Sequence, residues 1–380
     1  MNTATRPGGP TRPDTPGRMT TLAGMTTFAR PTTLASLASL ARRSTEMPTS
    51  PDPGGPESAG VAGIADAVRA ELTDVMRFAH VNTFHPNAFD WSEAATPAEL
   101  EYLSVVAFGE PGHGAKAAAY IAKELAQLAE IERHVSAVMA LAMGELHDLP
   151  DAVNHGHELH HALSCFAAEE FQHANTFYRY ARAVSGIEPR VANGLFEERL
   201  AVFRTDDHPY VKLVALCLSA YVGESVITVF EHRTDALDPD RTRFFTRLLH
   251  AHGLDEARHV KVDHVAMKLI HPALGESDRE RVRALLAEIE DLNRRLAQSF
   301  ESAVSAALDL DFTTGNPAAE TQLAMAKGFG AELFAEDGTL RTVDEILGGD
   351  LLDGGLRELV TRFSGTDRIH TTARLTGALR

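Results

Sequence analysis

HGLDEARH, residues 252–259, places two histidines and a glutamate at helical spacing. Because each residue of an α-helix advances roughly 100°, His252, Glu256 and His259 form one row along the helix. Toward the N-terminus the same row includes Phe245, so the row contains a large apolar side chain as well as ionisable ones. A surface helix normally separates apolar and ionisable residues onto opposite faces, so this mixture argues against a solvated face. From the segment alone, two interpretations stay open: core histidines satisfied by hydrogen bonds, or metal ligands.

A second glutamate and histidine pair lies in AAEEFQHANTF, residues 167–177, where Glu170 and His173 are three positions apart. The same row of the helix includes Phe166 and Phe177. Ionisable groups therefore again lie on a face whose large apolar residues predict that it packs against the core. The E-x-x-H spacing is a weak signal, because a chain rich in Glu and His contains such pairs by chance. The pair therefore needs support from the rest of the chain.

Each pair is preceded by a glutamate on the previous predicted helix. Glu132 comes before Glu170, and Glu224 comes before Glu256, at separations that suit two adjacent antiparallel helices. The order E…ExxH…E…ExxH is typical of four-helix di-iron and di-manganese carboxylate proteins, whose ligands project inward. A buried carboxylate is costly unless it is neutralised, paired or bound to metal, so four of them favour bound cations. The competing interpretation is salt bridges with Arg133, Arg179 or Arg258.

The ligand on the first of these helices has two candidates. Glu132 shares its row with Leu125 and Met139, which indicates a buried face. Glu130 shares its row with Arg133, which is typical of a polar face. Periodicity therefore favours Glu132 over Glu130.

The apolar pattern predicts an all-α protein. From about residue 61, apolar residues recur at three- and four-residue intervals, and β-branched alternation is scarce. Pro209, Pro239 and Pro272 fall between the helical patterns or at their ends. Several segments are long enough to form a bundle. The predicted helices span residues 61–80, 97–108, 113–147, 156–185, 192–204, 208–235, 239–271 and 277–308.

Composition excludes several classes of function. The 380-residue chain has a formal net charge of −17, which argues against a nucleic-acid partner and against an anionic membrane surface. Its two cysteines argue against a disulfide scaffold and for a reducing compartment. No segment is expected to have the uninterrupted apolar length that crosses a bilayer. We therefore expect a soluble, cytoplasmic protein.

Three regions are expected along the chain. Residues 1–60 are rich in Pro, Thr, Ser and Gly, a composition that predicts a disordered tail. Residues 61–310 hold the helical domain with the candidate metal ligands. Residues 311–380 predict shorter helices packed on that domain, in a position to close a substrate pocket.

The motifs resemble those of the ferritin-like di-iron oxygenases related to p-aminobenzoate N-oxygenase. The matching pieces are AEEFQH, YVGESVI and HGLDEARH, in the family's order and near its spacing. The resemblance spans roughly Phe89 to Ile270, and its most specific element is the third histidine, His252. It implies a ferritin-like bundle with extra helices around a dinuclear metal site. The implied metal ligands are Glu132 (or Glu130), Glu170, His173, Glu224, His252, Glu256 and His259.

The resemblance also implies an activity. Two iron ions, dioxygen and an external two-electron donor would oxygenate an arylamine nitrogen toward hydroxylamine and nitro products. The expected partners are a small aromatic amine-like substrate and a reductant or electron-donor protein, and a homodimer is compatible with the sequence. The alternatives are a di-iron hydroxylase or desaturase acting on carbon, and a non-catalytic metal-binding protein. This ligand set does not choose strongly between iron and manganese.

Several residues near the predicted ligands have candidate supporting roles. Asp255 and Asp263 are candidates for carboxylates that orient the histidines, although solvent exposure is the slightly favoured expectation for Asp255. Tyr221, Phe166 and Phe177 lie a turn from predicted ligands and are candidates for lining a cavity. Aromatic residues at helical spacing are more often ordinary core, so that alternative stays open.

Overall fold

The computed structural model describes residues 56–80, 85–149, 157–189, 194–349, 351 and 354–365. Regular structure in these ranges is helical, and the one β interaction found there is an isolated antiparallel bridge between Phe334 and Leu340. The predicted all-α class is confirmed. Most of the predicted tail lies outside the described residues, and a helix begins at Pro56, before the expected boundary at residue 61.

The helices follow the predicted order, and most of their ends differ from the predictions by a few residues. The chain forms a π-helical segment, Ala266–Ile270, and a 3₁₀ turn, His271–Ala273, between the helix that ends at Val265 and the helix that begins at Glu276. The α-helices are α1 Pro56–Ala79, α2 Pro97–Phe108, α3 Gly114–His147, α4 Glu158–Ser185, α5 Leu195–Phe203, α6 Pro209–Leu237, α7 Phe244–Val265, α8 Glu276–Leu308, α9 Pro317–Glu332, α10 Val343–Gly348 and α11 Gly354–Ser364.

Helix ends follow the local chemistry of the sequence. The Thr96 side chain accepts a hydrogen bond from the backbone N–H of Glu99, and proline occupies the first position of α2. Helix α4 ends at Gly186, whose φ of 71° is left-handed and therefore suits glycine. Helix α7 begins later than predicted because Asp238 accepts hydrogen bonds from the backbone N–H groups of Thr242 and Arg243, which holds this segment in a turn.

Four long helices pack in a closed cycle. Helix α3 packs against α4 and α6, and α7 packs against the same two helices from the opposite side. Helix α8 covers α3 and α6, whereas α1 covers α4 and α7. The short helices α9 and α11 pack on α6. The interior of the cycle therefore receives side chains from α3, α4, α6 and α7, the helices that carry the predicted ligands.

Helix α6 is long and apolar enough to cross a membrane, which corrects the expectation that no segment has that length. However, 89% of its most apolar window is buried inside the fold. A helix that is apolar all round is either a membrane span or a buried core helix. Packing against α3, α7 and α8 accounts for the apolar surface of α6 as a core helix.

Candidate metal centre

Six of the seven predicted ligands converge on one buried region contributed by α3, α4 and α7. They form two overlapping groups, and within each group the candidate ligand atoms lie within 4.8 Å of one another. Each of the six residues is at most 4% exposed. Buried Glu and His side chains at these separations could hold a metal ion. The first group is Glu132, His173, His252 and Glu256, and the second is Glu170, His173, Glu256 and His259.

Glu256 and His173 belong to both groups, and the two oxygens of Glu256 face different histidines. Its Oε1 lies 2.8 Å from Nε2 of His252 and 3.2 Å from Nδ1 of His173. Its Oε2 lies 3.4 Å from Nδ1 of His259. On the second side, Oε1 of Glu170 lies 2.9 Å from the same His259 nitrogen. One carboxylate therefore stands between two sets of nitrogen and oxygen donors.

Several of these short contacts lack hydrogen-bond geometry, including the one between His252 Nε2 and Glu256 Oε1. Among the described residues, the buried side-chain atoms without a hydrogen-bond partner include five on predicted ligands. An unsatisfied buried polar atom costs about 1–3 kcal/mol, so buried atoms of this kind favour a bound partner. Bound cations would remove this cost. The five atoms are Glu132 Oε2, Glu224 Oε2, Glu256 Oε2, His252 Nε2 and His259 Nδ1.

The three histidines each contact a further buried carboxylate with their outer ring nitrogen. Nε2 of His173 lies 3.0 Å from Asp255 Oδ2, and Nδ1 of His252 lies 3.1 Å from Glu231 Oε1. Likewise, Nε2 of His259 lies 2.9 Å from Glu169 Oε2. A carboxylate on the outer nitrogen fixes the tautomer and leaves the inner nitrogen as an electron-pair donor. This arrangement is characteristic of histidines that bind metals.

These contacts correct and extend the sequence analysis. Asp255 is completely buried, so the expectation of solvent exposure is wrong, whereas its predicted role beside a histidine agrees with the geometry. Glu231 and Glu169 were not predicted. Glu231 lies two helical turns after Glu224 on α6, so its row was an available signal. Glu169 directly precedes Glu170 and therefore lies on a different row of α4. Helical periodicity gives no indication that Glu169 contacts a predicted ligand.

Glu224, the seventh predicted ligand, is buried beside the cluster and belongs to neither group of mutually close atoms. Burial raises the pKa of Glu224 well above its ordinary value, and the negative charges of Asp263 and Glu256 add to this effect. Asp263 is completely buried, and burial raises its pKa to about 8. The structure thus places a pair of carboxyl groups, Glu224 and Asp263, at the edge of the cluster.

Glu130 does not reach the cluster. The Tyr178 hydroxyl donates a 2.6 Å hydrogen bond to Oε2 of Glu130, and Nη1 of Arg133 donates another at 2.8 Å. Burial raises the pKa of Glu130, but hydrogen bonds from His134 and Tyr178 outweigh it and lower the pKa to about 2. Glu130 is 7% exposed, whereas Arg133 on the same predicted polar face is exposed. Of the two candidates, the structure brings Glu132 into the cluster.

The arginines proposed as alternative partners bind elsewhere. Nη2 of Arg258 lies 2.5 Å from Glu169 Oε1 and 2.5 Å from Asp255 Oδ1, so it pairs with the outer carboxylates. Arg133 pairs with Glu130, and the Arg179 guanidinium lies 4.0 Å from the centre of the Trp91 ring. Within the described residues, none of the three forms an ion pair with the six clustered residues.

Protons and histidine charge balance the carboxylates of the cluster. Burial raises the pKa of Glu132 to about 8 despite the proximity of His252. Burial and the charge of His252 lower the pKa of His173, but its contacts with Asp255 and Glu256 outweigh them and raise it to about 9. A cation entering this site would therefore displace protons.

Aromatic rings cover the histidines. Phe166 stacks on His259 with ring centroids 3.9 Å apart and planes inclined by 13°. Phe177 lies 4.8 Å from His252, ring centre to ring centre. Tyr221 is turned to a different contact, because its hydroxyl accepts a 2.7 Å hydrogen bond from the backbone N–H of Val343. Phe166 and Phe177 thus exclude water from two sides of the candidate ligands.

Comparisons of the chain with protein-family models, with curated proteins and with solved structures found no significant match. The class of protein therefore follows from the chain itself: an all-α protein with buried Glu and His clusters that could hold a metal ion.

Proposed function

We propose that this chain is a ferritin-like dinuclear metalloprotein that binds two iron ions and uses dioxygen to oxygenate a small organic substrate. The observation that carries the proposal is the position of Glu256, whose two oxygens face two sets of donors. A carboxylate in that position suits two adjacent cations. The closed cycle formed by α3, α4, α6 and α7 supports a four-helix di-metal architecture.

The distances divide the donor atoms into two sets, one at each oxygen of Glu256, and each set would hold one cation. His252, His173 and Glu132 lie on the Oε1 side of Glu256, with Nε2 of His252 3.4 Å from Glu132 Oε1. Glu170 and His259 lie on the other side. Glu224, buried beside the cluster, is the remaining candidate donor. Mixed imidazole and carboxylate donors suit iron or manganese, and two close cations need the negative charge of several carboxylates.

The bound iron pair would supply electron transfer and the activation of dioxygen. The chain's own contribution is to hold the histidines in one tautomer, through Asp255, Glu231 and Glu169, and to keep water away with Phe166 and Phe177. For the substrate class we propose an arylamine, in line with the resemblance of the ligand motifs. Conversion to the hydroxylamine takes one amine, one dioxygen, two electrons and two protons, and gives one water, so an external two-electron donor is needed.

Metal content tests the first part of the proposal. The purified chain should contain, or take up after reduction, two iron ions that are lost together when Glu256 is replaced by alanine. A fold check by circular dichroism separates loss of metal from loss of structure. The Asp291→Asn variant is a surface control, because Asp291 pairs only with exposed arginines in the described structure. Stoichiometric iron in Glu256→Ala would contradict the assignment.

Oxygen consumption tests the second part. Reduced, iron-loaded protein is mixed with oxygenated buffer, with and without p-aminobenzoate, and the products are identified by mass spectrometry with labelled dioxygen. Labelled hydroxylamine, nitroso or nitro products support N-oxygenation. Oxygenation or desaturation at carbon would assign the metal centre to the alternative class of reaction. Slow iron mineralisation without substrate oxidation would contradict the enzymatic proposal.

A further inference from the structure

A second set of metal-ligand side chains lies at the protein surface, where α1 ends against α4. His80 follows the last residue of α1, and His161 and Cys165 are one turn apart on α4. Nε2 of His80 lies 2.9 Å from Nε2 of His161 and 4.0 Å from Sγ of Cys165. The three donor atoms all lie within 4.8 Å of one another.

We propose that His80, His161 and Cys165 form a mononuclear Zn²⁺ site that joins α1 to α4. In a tetrahedral zinc site, Zn–N distances of about 2.0–2.1 Å and Zn–S distances of about 2.3 Å place two nitrogens about 3.4 Å apart and nitrogen and sulfur about 3.6 Å apart. The observed separations of 2.9 and 4.0 Å differ from these by about half an ångström, a shift that side-chain rotation provides.

The local sequence favours this geometry. His161 and Cys165 are separated by four positions, so they lie above one another on the same face of α4. The third donor, His80, directly follows another helix, an arrangement that lets an ion tie two elements together. His80 and His161 are exposed and Cys165 is half-buried, so an ion reaches the site from solvent. The fourth position would hold water.

The donor set selects a different metal from the central cluster. Thiolate with imidazole favours zinc or other soft ions, whereas the central cluster has carboxylate and imidazole donors alone. A thiolate ligand is therefore a specific marker for the surface site. The alternative is a plain hydrogen bond between two neutral imidazoles, which would also account for the 2.9 Å contact between His80 and His161.

Cobalt titration separates the two interpretations. The full-length chain is titrated with Co²⁺, and absorption is followed for the sulfur-to-cobalt charge-transfer band. We expect up to three equivalents of Co²⁺ to develop the band, because the central cluster takes up two ions as well, Zn²⁺ to abolish it, and Cys165→Ser to remove it. His80→Ala and His161→Ala should each lower the affinity at least tenfold. A neighbouring histidine on the same helix gives the matched control, since His160→Ala should leave the titration unchanged.

The second cysteine, Cys217, provides a control for Co²⁺ binding to a buried thiol. Cys217 is completely buried beside Asp263, so Cys217→Ala should retain the full band. The proposal is overturned if wild type gives no band with three equivalents of Co²⁺, or if the band is lost with Cys217 rather than Cys165. It is equally overturned if the band depends on Cys165 but is unaffected by both histidine substitutions. Circular dichroism of each variant shows that the fold is retained.

Discussion

Nε2 of His173 lies 3.0 Å from Oδ2 of Asp255, and both side chains are completely buried. Asp255 also contacts Arg258 through its other oxygen, so the carboxylate is held from two directions. The His173 ring is thereby fixed with Nδ1 toward Glu256. The orientation of a candidate ligand thus depends on a residue of a different helix.

Replacing Asp255 with asparagine should weaken metal binding at the central cluster. An asparagine amide has no charge to balance the imidazole and does not select one tautomer, so we expect a loss of affinity of about 10–100-fold. Competition with a chelator measures it. Asp291→Asn, an exposed substitution of the same type, should have the wild-type affinity. Equal affinities for the two variants would show that Asp255 does not position His173.

Glu132→Gln and Glu130→Gln should have opposite effects on metal content. Glu132 is within the first group of donor atoms, so its substitution should reduce iron to one ion per chain or fewer. Glu130 binds Tyr178 and Arg133 instead. Its substitution should therefore lower the stability of the fold and leave both iron ions bound. Elemental analysis together with thermal unfolding distinguishes the two. Iron loss in Glu130→Gln with retention in Glu132→Gln would reverse the assignment.

Metal affinity should rise with pH between about 6 and 9. His173 has a pKa raised to about 9, so its proton is bound across this range and must leave before the ring binds a cation. Raising the pH removes that competition, which strengthens binding, and lowering the pH has the reverse effect. Calorimetric titration at several pH values measures both the affinity and the number of protons released. Affinity that falls with rising pH would contradict this account.

Removing iron should destabilise the fold. Each site filled at one hundred times its dissociation constant adds about 2.7 kcal/mol of stability. The Cys165→Ser variant is the suitable background, because the proposed surface site then lacks its thiolate ligand. We expect its Tm to fall by at least several degrees on chelation and to recover when Fe²⁺ is added anaerobically. A Tm unaffected by iron would mean that the buried carboxylates are satisfied without cations.

Gly253→Ala should disturb His252 through Glu231. A Cβ at position 253 would lie 2.7 Å from the carboxylate carbon of Glu231, which contacts the neighbouring histidine. The carboxylate must then move, so we expect weaker metal binding and lower stability. Gly144→Ala is the matched control, since nothing lies within 4 Å of a Cβ there. Alanine at that helical position should stabilise by about 0.5–1 kcal/mol. If Gly253→Ala has the same metal affinity and stability as Gly144→Ala, the position of the Glu231 carboxylate is not essential for His252.

The central candidate residues could be predicted from spacing because helical periodicity brings residues of one row together whatever surrounds them. His252, Glu256 and His259 are neighbours for this local reason. Glu231 shares the row of Glu224, but spacing does not indicate that it meets His252, nor that Glu169 meets His259, because both contacts cross between helices. The burial of Asp255 could not be predicted either. Asp255 lies on the side of the helix next to the ligand row, and sequence alone does not tell whether that side faces water or another helix.

The sequence by itself determined the helical class, the helix order and the rows of Glu and His, because hydrogen bonding and periodicity act over a few residues. Tertiary structure decided which side of each helix is buried, that Glu132 rather than Glu130 joins the cluster, and that His80 meets His161 and Cys165. These contacts join residues far apart in the chain. They depend on how the helices pack, which no local spacing records.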